Sequence, residues 1–484
     1  MEKYKKVCRE DYITWYSEHK EYREQVAADQ NRLAYHLMPE TGWLNDPNGL
    51  CQFRGLYHIY YQYTPFEPTG EIKLWGHYTT RDFICYKREE PALYPDCDLD
   101  VHGVYSGSAY VENGTIHYFY TGNVKLCDRD DYDYIMAGRV SNTIHCTSRD
   151  GYHLSPKELA LDHGNYPEDM SCHIRDPKIC RDGDTYYMAL GARDSHSKGM
   201  VLVYKSRDLK QWEYFNRITT EKAFGYMWEC PDLFFLDGQM CLICCPQGVE
   251  PRGIDYRNVH QCTVFSLDYD FDRNEYCLKD QEEPAMVDRG FDFYAPQTFL
   301  DEKGRRILIG WMGIPDADYT NPTVDAGWQH ALTMPRVLHM KNGRLIQQPL
   351  EEMKKLRRDK REYSSKMMRN GVNPGLVYEG CLEFEACEDM RLDLREGAYL
   401  IWENGMLTLN LESCGAGRTW RSVKLDRLKN LQIFSDTTSL EIFVNDGEEV
   451  FTTRVYGRLG SMKLAGSGSA KAEVYGLDGF IIEP

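Results

Sequence analysis

Apolar and polar positions along the first two thirds of the chain repeat one pattern, a turn glycine followed by an alternating or continuously apolar segment. Alternation with a period of two is typical of β-strands, and glycine permits the tight turn of a hairpin. The glycines are 55 to 69 residues apart. They are Gly55, Gly114, Gly183, Gly238 and Gly304. The pattern therefore predicts five successive β-hairpins.

A second pattern alternates with the first, since Ser or Thr stands two residues before Asp at Asp82, Asp150 and Asp208. This spacing is typical of a turn that ends a strand. A repeat of about 60 residues can hold four short strands, the size of one propeller blade. Five repeats predict an all-β domain, a five-bladed β-propeller over residues 33–345. A β-sandwich with chance internal similarity is the alternative.

The remaining segments differ in pattern from the repeats. Residues 346–362 are rich in charged helix formers, which predicts a linker with a solvated helical face. Residues 363–484 return to short alternating strands, with Asn445-Asp446-Gly447 as a hairpin turn, and predict a C-terminal β-sandwich. Residues 1–32 are polar with spaced aromatic residues and predict a short N-terminal helix.

Composition narrows the class of partner. The 484 residues include 57 Lys and Arg against 75 Asp and Glu, a formal net charge of −18. Nucleic acid and anionic membrane surfaces are therefore unfavourable partners. Aromatic residues make up 13% of the chain, with 35 Tyr against 18 Phe. Most of these rings are expected to pack between strands, and a few would line a sugar-binding cleft.

The cysteines and the N-terminus predict a cytoplasmic protein. Seventeen cysteines is an odd number without disulfide spacing, and residues 1–25 contain no apolar segment of a secretory signal. No stretch has the apolar length of a membrane span. The one C-x-x-C pair, Cys241 and Cys244, lies in an apolar strand and is better interpreted as buried core than as a zinc or redox site.

Polar residues precede the repeat glycines where a strand should be apolar, and three of these segments contain a carboxylate at nearly the same offset. Asp46, Asp176 and Glu229 stand nine, seven and nine residues before their glycines. Equivalent positions on a ring of blades point to a common axis, so the three acids are expected to meet. For each acid alone, a turn-closing role is the alternative.

Most glycoside hydrolases use a pair of carboxyl groups, one on each side of the scissile bond. Trp43, Trp75, Trp228 and Tyr294 would offer faces to a sugar, and its hydroxyls would bind to Asn45, Gln62, Ser106, Arg175 and Gln297. There is no glycine-rich phosphate loop, no G-x-S-x-G motif and no His/Cys metal spacing. The sequence thus predicts a hydrolase without metal or cofactor that acts on a small sugar substrate.

At these residues the sequence resembles glycoside hydrolase family 32, which comprises invertases, sucrose-6-phosphate hydrolases and fructan hydrolases. The matching motifs in the first 345 residues are YHLMPETGWLNDPNG (35–49), YSGSA (105–109), IRDPKI (174–179), WECPDLF (228–234), YAPQTF (294–299), RRILIGWMG (305–313) and GWQHALTMPR (327–336). SLEIFVNDGEEVFTTR (439–454) resembles the family's C-terminal sandwich. One departure is Leu44, where the family usually has Met.

The resemblance implies a retaining mechanism on a terminal β-D-fructofuranosyl unit. Asp46 would be the nucleophile, Glu229 the acid and then the base, and Asp176 the residue that binds fructose hydroxyls and stabilises the transition state. Arg175 beside Asp176 is expected to keep that carboxylate ionised. Trp311, in one of the matching motifs, would join the substrate-binding residues.

Several points stay open at the level of sequence. The substrate is sucrose, sucrose 6-phosphate or both, and residues that would bind a phosphate cannot be recognised. A fructan hydrolase or a transfructosylase is the alternative within the same fold, and a fructoside-binding propeller without catalysis is the alternative from another class. Nothing in the sequence determines the oligomeric state.

Overall fold

The computed structural model describes residues 6–270, 275–278, 283–458 and 460–484. Most of these residues lie in β-strands, so the prediction of a mainly β chain is confirmed. The helices are short, and among the described residues none is long and apolar enough to cross a membrane.

The N-terminal segment forms two helices rather than the single one that was predicted, α1 (Arg9–Glu18) and α2 (Lys20–Ala27). They meet at His19, whose backbone leaves helical geometry at φ −106° and ψ 33°. Both the His19 ring and its N–H approach the carbonyl oxygen of Trp15, at 2.8 and 3.1 Å. This side chain competes with the backbone for the last carbonyls of α1 and ends the helix there.

The next part of the chain forms five sheets in sequence order, and the successive strands within each sheet pair antiparallel. The first contains β1 (Gly42–Phe53), β2 (Leu56–Thr64), β3 (Leu74–Thr80) and β4 (Cys85–Leu93). The second contains β5 (Val104–Glu112), β6 (Thr115–Lys125), β7 (Arg139–Ser148) and β8 (Glu158–Leu161). The third contains β9 (Met170–Asp182), β10 (Thr185–Asp194), β11 (Gly199–Ser206) and β12 (Glu213–Ile218).

The fourth and fifth sheets follow the same order with additional short strands. The fourth contains β13 (Met227–Leu236), β14 (Gln239–Gln247), β15 (Thr263–Asp270), β16 (Glu275–Leu278) and β17 (Ala285–Met286). The fifth contains β18 (Tyr294–Leu300), β19 (Arg306–Met312), β21 (Ala331–Leu332), β22 (Arg336–Lys341) and β23 (Arg344–Pro349). The two-residue strand β20 (Trp328–Gln329) pairs in parallel with β1.

The predicted turns are confirmed. All five repeat glycines lie between the first two strands of a sheet and have φ between 55° and 85°. Asp150 accepts hydrogen bonds from the backbone N–H groups of Tyr152 and His153, at 2.9 and 2.8 Å, just after β7. Asp82 and Asp208 make the equivalent turns after β3 and β11. The repeat seen in the sequence is therefore a repeat of strands and turns.

The first strands of the five sheets lie next to one another. β1 contacts β5, β5 contacts β9, β9 contacts β13, β13 contacts β18, and β18 contacts β1. Residues at equivalent positions of these five strands are thus brought to a common centre.

Two further sheets follow. The six-stranded sheet contains β24 (Arg357–Ser364), β34 (Ser469–Leu477), β25 (Tyr378–Ala386), β30 (Asn430–Asp436), β31 (Ser439–Val444) and β32 (Glu449–Arg454). The five-stranded sheet contains β29 (Trp420–Lys424), β28 (Met406–Leu411), β27 (Ala398–Glu403), β26 (Met390–Arg395) and β33 (Gly460–Ala465). Leu and Ile side chains of both sheets share one buried core, for example Leu392, Leu400, Ile433 and Ile442. Helix α3 (Ser365–Arg369) follows β24.

Residues 346–362 differ from the expected linker. They contain the end of β23, a 3₁₀-helix at Glu351–Leu356 and most of β24. Lys354 and Lys355 lie on the 3₁₀-helix, but the charged residues from Arg357 onward form a strand. β24 pairs with β34 along an edge, where most of its charged side chains remain exposed. Charged side chains on an edge strand also discourage pairing with other chains.

The C-terminal residues return to the first sheet. β35 (Ile481–Glu483) pairs in parallel with β4 and so belongs to a different sheet from the other strands of residues 363–484. Short 3₁₀-helices at His163–Asn165, Pro322–Val324, Ser413–Gly415 and Asn445–Gly447 complete the regular elements.

Candidate active site

Each of the five central strands contains one extra residue at the same place. At this place the central strand advances by three residues while the strand paired with it advances by two, and such an extra residue is a β-bulge. The bulges lie at Leu44–Pro47, Val104–Gly107, Arg175–Lys178, Glu229–Asp232 and Tyr294–Gln297. A bulge redirects side chains that regular alternation would place elsewhere, and here it directs Asp46, Ser106, Asp176 and Glu229 into one cavity.

Three residues within these bulges have left-handed backbone conformations that only glycine adopts without cost. They are Asp176 (φ 63°), Cys230 (φ 47°) and Ala295 (φ 45°). Such a conformation costs about 1–3 kcal/mol per residue and is found preferentially at functional sites. The central strands are thus strained at the point where the acids meet.

Asp46 is held by donors from three directions. Ser106 Oγ donates to Asp46 Oδ2, Asn45 Nδ2 donates to Oδ1 at 3.0 Å, and Cys230 Sγ lies 3.4 Å from Oδ2. Burial raises the pKa of the Asp46 carboxyl, and these hydrogen bonds oppose the rise because they favour the ionised form. The environment thus supports an oriented carboxylate.

Asp176 lies deeper than Asp46 and is 7% exposed. Its carboxylate accepts a hydrogen bond from the Cys230 N–H at 2.9 Å, and its own N–H donates to Thr121 Oγ1 at 2.8 Å. Burial raises the pKa of Asp176; Arg175 opposes this, while the charges on Glu229 and Asp46 add to it. The three acids therefore interact electrostatically across one cavity.

Glu229 receives hydrogen bonds on both carboxylate oxygens. Arg175 Nε and Nη2 approach Oε1 at 3.0 and 2.9 Å, while Gln247 Nε2 and the Tyr294 hydroxyl donate to Oε2 at 2.9 and 2.8 Å. Arg175 was expected to keep Asp176 ionised, and its charge does lower the pKa of that carboxyl, but its hydrogen bonds to a carboxylate go to Glu229. Adjacent residues point apart at the bulge, so Arg175 reaches across to Glu229 on β13.

The three acids line one cavity of about 560 Å³. Of the residues predicted to bind the substrate, those that line this cavity are Asn45, Gln62, Ser106, Arg175, Tyr294 and Trp311. Trp43 lines it too, and its indole N–H donates to Asn45 Oδ1 at 2.8 Å. Gln62 connects Asn45 to Ser106, since its Oε1 accepts from Asn45 at 2.7 Å and its Nε2 donates to Ser106 Oγ. A continuous hydrogen-bonded row therefore supports Asp46.

Three predicted residues lie outside this cavity. Trp75 is fully buried and donates its indole N–H to the Tyr105 carbonyl at 3.1 Å. Trp228 is fully buried too and stacks on Phe265. Gln297 joins β1 to β5, because its side chain accepts from the Leu50 N–H at 3.0 Å and donates to the Gly107 carbonyl at 2.8 Å. These three side chains stabilise the sheets. The sequence contained no signal that separates them from the predicted residues that line the cavity.

The cavity also contains residues that the sequence did not indicate. They are Lys73, Tyr134, Arg139, His173, Arg193, Tyr226, Gln247 and Asp316, along with Gly70, Tyr105, Met227 and Pro315. Most lie on the second strands or on loops, outside the segments before the repeat glycines. Burial lowers the pKa of Lys73 to about 7, and the charges of Asp46 and Glu67 oppose the decrease. A lysine this deeply buried is unusual, but only the structure reveals the burial.

One group of possible metal ligands occurs among the described residues, Asp96, Cys97 and Asp100. Lys157 Nζ lies 2.6 Å from a carboxylate oxygen of each aspartate, and Tyr120 donates to Asp100 at 2.8 Å. The lysine occupies the position of a cation, so the group is an ion-pair network.

A pocket with paired carboxylates, polar donors and tryptophan faces defines the class of protein as a glycoside hydrolase. Residues 36–349 match the model of the glycosyl hydrolases family 32 N-terminal domain, and residues 404–475 match the family 32 C-terminal model. The chain belongs to glycoside hydrolase family 32.

Relatives of known name extend over nearly the whole chain. A sucrose-6-phosphate hydrolase of Bacillus subtilis (strain 168) is 38% identical over 94% of this chain and 95% of its own length. A sucrose-6-phosphate hydrolase of Staphylococcus xylosus is 38% identical, with 90% and 89% covered. The structure of a sucrose-6-phosphate hydrolase from Lactobacillus gasseri superposes with a TM-score of 0.87 at 28% identity, covering 98% of this chain and 100% of that one.

Proposed function

We propose that the protein is a retaining β-fructofuranosidase that hydrolyses the terminal fructosyl unit of sucrose, sucrose 6-phosphate or both. The observation that supports this most directly is the meeting of Asp46, Asp176 and Glu229 in one cavity, each at the bulge of a central strand. Relatives named as sucrose-6-phosphate hydrolases support the same substrate class.

In the first step Asp46 would attack the anomeric C2 of the fructosyl unit. A bond forms between C2 and an Asp46 oxygen while the bond between C2 and the glycosidic oxygen breaks. Glu229 donates its proton to that oxygen, and glucose or glucose 6-phosphate leaves. Splitting the reaction in this way replaces one difficult displacement by two easier ones.

In the second step water would replace the leaving sugar. Glu229, now ionised, takes a proton from the water as its oxygen attacks C2. The bond between C2 and Asp46 breaks, free fructose leaves, and both carboxyls return to their starting states. Two inversions at C2 give overall retention.

Asp176 and the row from Asn45 to Ser106 would bind the fructosyl hydroxyls, since they contribute acceptors and donors around Asp46. Trp43 and Trp311, whose rings lie 5.9 Å apart at an angle of 58°, would pack against its apolar face. With the fructosyl unit bound beside Asp46, the glucose part of the substrate would lie on the Glu229 side of the cavity.

The architecture belongs to the same proposal. The contacts among β1, β5, β9, β13 and β18 support a five-bladed propeller that extends to the end of β23 at Pro349. The last two sheets would form the sandwich, which begins at β24 rather than after residue 362. The 17 free cysteines, all within the described residues, support a reducing compartment such as the cytoplasm.

The proposal is tested by fructose release from sucrose and sucrose 6-phosphate. We expect Asp46→Asn and Glu229→Gln to lower kcat for the better substrate by about 1,000-fold or more, because each removes a group used in both steps. Asp208→Asn, which changes a turn far from the cavity, is the matched control and should retain activity. Full activity of Asp46→Asn would refute the nucleophile assignment, and glucose in excess of fructose at high sucrose would indicate transfer.

A further inference from the structure

Three arginines surround the buried His173 on the Glu229 side of the cavity. Arg175 Nη1 lies 3.1 Å from His173 Nδ1, and Arg139 and Arg193 line the same cavity. His173 Nε2 lies 2.8 Å from the Tyr134 carbonyl oxygen, which can only accept a hydrogen bond. The ring therefore bears its proton on Nε2 and accepts from Arg175 through Nδ1. His173 is neutral, and burial and the three arginines lower its pKa to about 3.

The positive charge of this group is only partly balanced. Arg175 is occupied by Glu229, since its Nε and Nη2 both donate to Glu229 Oε1. Arg193 donates to Ser197 Oγ at 2.8 Å, while its Nε is buried without a hydrogen-bond partner. Within the described part of the chain, Arg139 forms no ion pair. Two guanidinium groups are therefore available at one end of the cavity.

The neighbouring acidic groups do not balance the positive charges of Arg139 and Arg193. Asp316 lies at the same mouth but has a largely exposed carboxylate, which is 3.0 Å from His260. Asp194, next to Arg193 in sequence, accepts backbone hydrogen bonds from His196 and Lys198. In a chain of net charge −18, two uncompensated arginines facing one cavity create a local attraction for an anion.

Aromatic rings hold these two arginines in place. The Arg139 guanidinium carbon lies 5.4 Å from the centre of the Tyr134 ring, and that of Arg193 lies 4.7 Å from the Tyr226 ring. Cation–π contacts use the faces of the guanidinium groups, so the N–H groups that are not already bonded can donate to the oxygens of a phosphate. The tyrosines line the cavity as well.

We propose that Arg139 and Arg193 form a phosphate subsite for the leaving sugar, so that the preferred substrate is sucrose 6-phosphate. This inference rests on the proposed function, in which Glu229 protonates the oxygen of the leaving sugar. The glucose must then lie on the Glu229 side of the cavity. Its 6-phosphate would reach the two arginines beyond Arg175. Lys73 lies over the Trp43 ring and close to Asp46, where the fructosyl unit would bind.

The test compares kcat/KM for sucrose 6-phosphate and for sucrose in the wild type, Arg139→Gln and Arg193→Gln. We expect each substitution to lower the value for sucrose 6-phosphate about ten-fold or more, as for the loss of a charge-assisted hydrogen bond, and to change that for sucrose less than about two-fold. Arg129→Gln is the matched control, since it removes one positive charge from the loop before β7, where Arg129 pairs with Asp131. It should leave both values unchanged.

Equilibrium binding gives a second measurement that needs no turnover. Calorimetry should show that the wild type binds glucose 6-phosphate more tightly than glucose or inorganic phosphate, and that both variants lose this preference while retaining the wild-type unfolding midpoint. An unchanged ratio of the two kcat/KM values in both variants would overturn the subsite, as would a loss of preference in Lys73→Gln alone. If neither sugar is hydrolysed, the proposed function fails, and the calorimetry still decides on the phosphate subsite.

Discussion

Ser106 is the residue that most directly controls the charge on the proposed nucleophile. Its hydroxyl donates to Asp46 Oδ2 and in turn accepts from Gln62. A hydrogen bond to a charged group contributes about 1.5–3 kcal/mol, and the ionised form of Asp46 receives that stabilisation. The hydroxyl thus offsets part of the cost of burying a carboxylate.

Ser106→Ala should therefore shift the acid limb of the pH profile. The pKa of Asp46 is already raised by burial, and removal of the opposing hydrogen bond raises it further. We expect the acid limb of kcat/KM to move upward by about one pH unit, so that activity is lost first at low pH. The measurement is kcat/KM for the better substrate from about pH 4 to 8.

Ser108→Ala is the matched control, since Ser108 lies on the same strand and donates to the Pro177 carbonyl at 2.8 Å rather than to a carboxylate. It should leave the acid limb in place. If both variants have the same profile as the wild type, Ser106 has no influence on the ionisation of Asp46.

At the scale of elements, the decisive feature is the bulge shared by the five central strands. The hairpin turns could be predicted from the sequence because their backbone has positive φ angles, which favour glycine, and Gly55 and its equivalents stand at these positions. A bulge inserts one residue into a strand and has no signature in the composition. A prediction from regular alternation therefore puts the side chains beyond the bulge on the wrong face of the sheet. The motifs around Asp46, Asp176 and Glu229 indicated polarity, and only the structure shows how adjacent residues such as Arg175 and Asp176 diverge.

Ala295 tests whether the bulge conformation is strained. At φ 45° and 2% exposure, it has a side chain where glycine would be favoured. Ala295→Val should destabilise the protein by about 2 kcal/mol or more, because β-branched residues rarely adopt positive φ. Ala295→Gly should leave stability within about 1 kcal/mol of the wild type, since relief of strain is balanced by the greater entropy of the unfolded chain.

Urea unfolding measures both changes. Ala189→Val, at a buried position of β10 with ordinary strand geometry, provides the control for the larger side chain. Equal destabilisation by Ala189→Val and Ala295→Val would show that volume, and not the backbone, decides the cost. Because Tyr294 donates to Glu229 from the preceding position, the Ala295→Val enzyme should also lose activity.

At the scale of the whole molecule, the five central sheets and the last two sheets are joined by buried charges. His36 Nδ1 lies 2.7 Å from Asp436, and its Nε2 lies 2.9 Å from Glu441. Glu441 also pairs with Arg336 at 2.6 Å, and Arg336 with Asp288 at 3.1 Å. No pattern in the sequence indicates a contact across 400 residues, so this part of the architecture could not be predicted. The same holds for the pairing of β35 with β4.

The network makes stability depend on pH in a defined direction. Burial alone would lower the pKa of His36, but hydrogen bonds and charges from Asp436 and Glu441 outweigh it and raise the pKa to about 9. The folded value thus exceeds the ordinary value of 6.5. The protonated ring stabilises the fold fully below about pH 6.5, and this contribution, of the order of 3 kcal/mol, disappears as the pH rises through about 9.

We therefore expect the urea midpoint of the wild type to fall between about pH 7 and 9.5, and His36→Gln to be less stable at pH 7 and to show a much flatter dependence. His339→Gln, which changes an exposed histidine on β22, should follow the wild-type curve. Because Asp436 and Glu441 remain buried in His36→Gln, its loss of stability at pH 7 should exceed that of an ordinary surface substitution. A wild-type midpoint that stays constant over this range would show that His36 contributes no charge to the junction between the sheets.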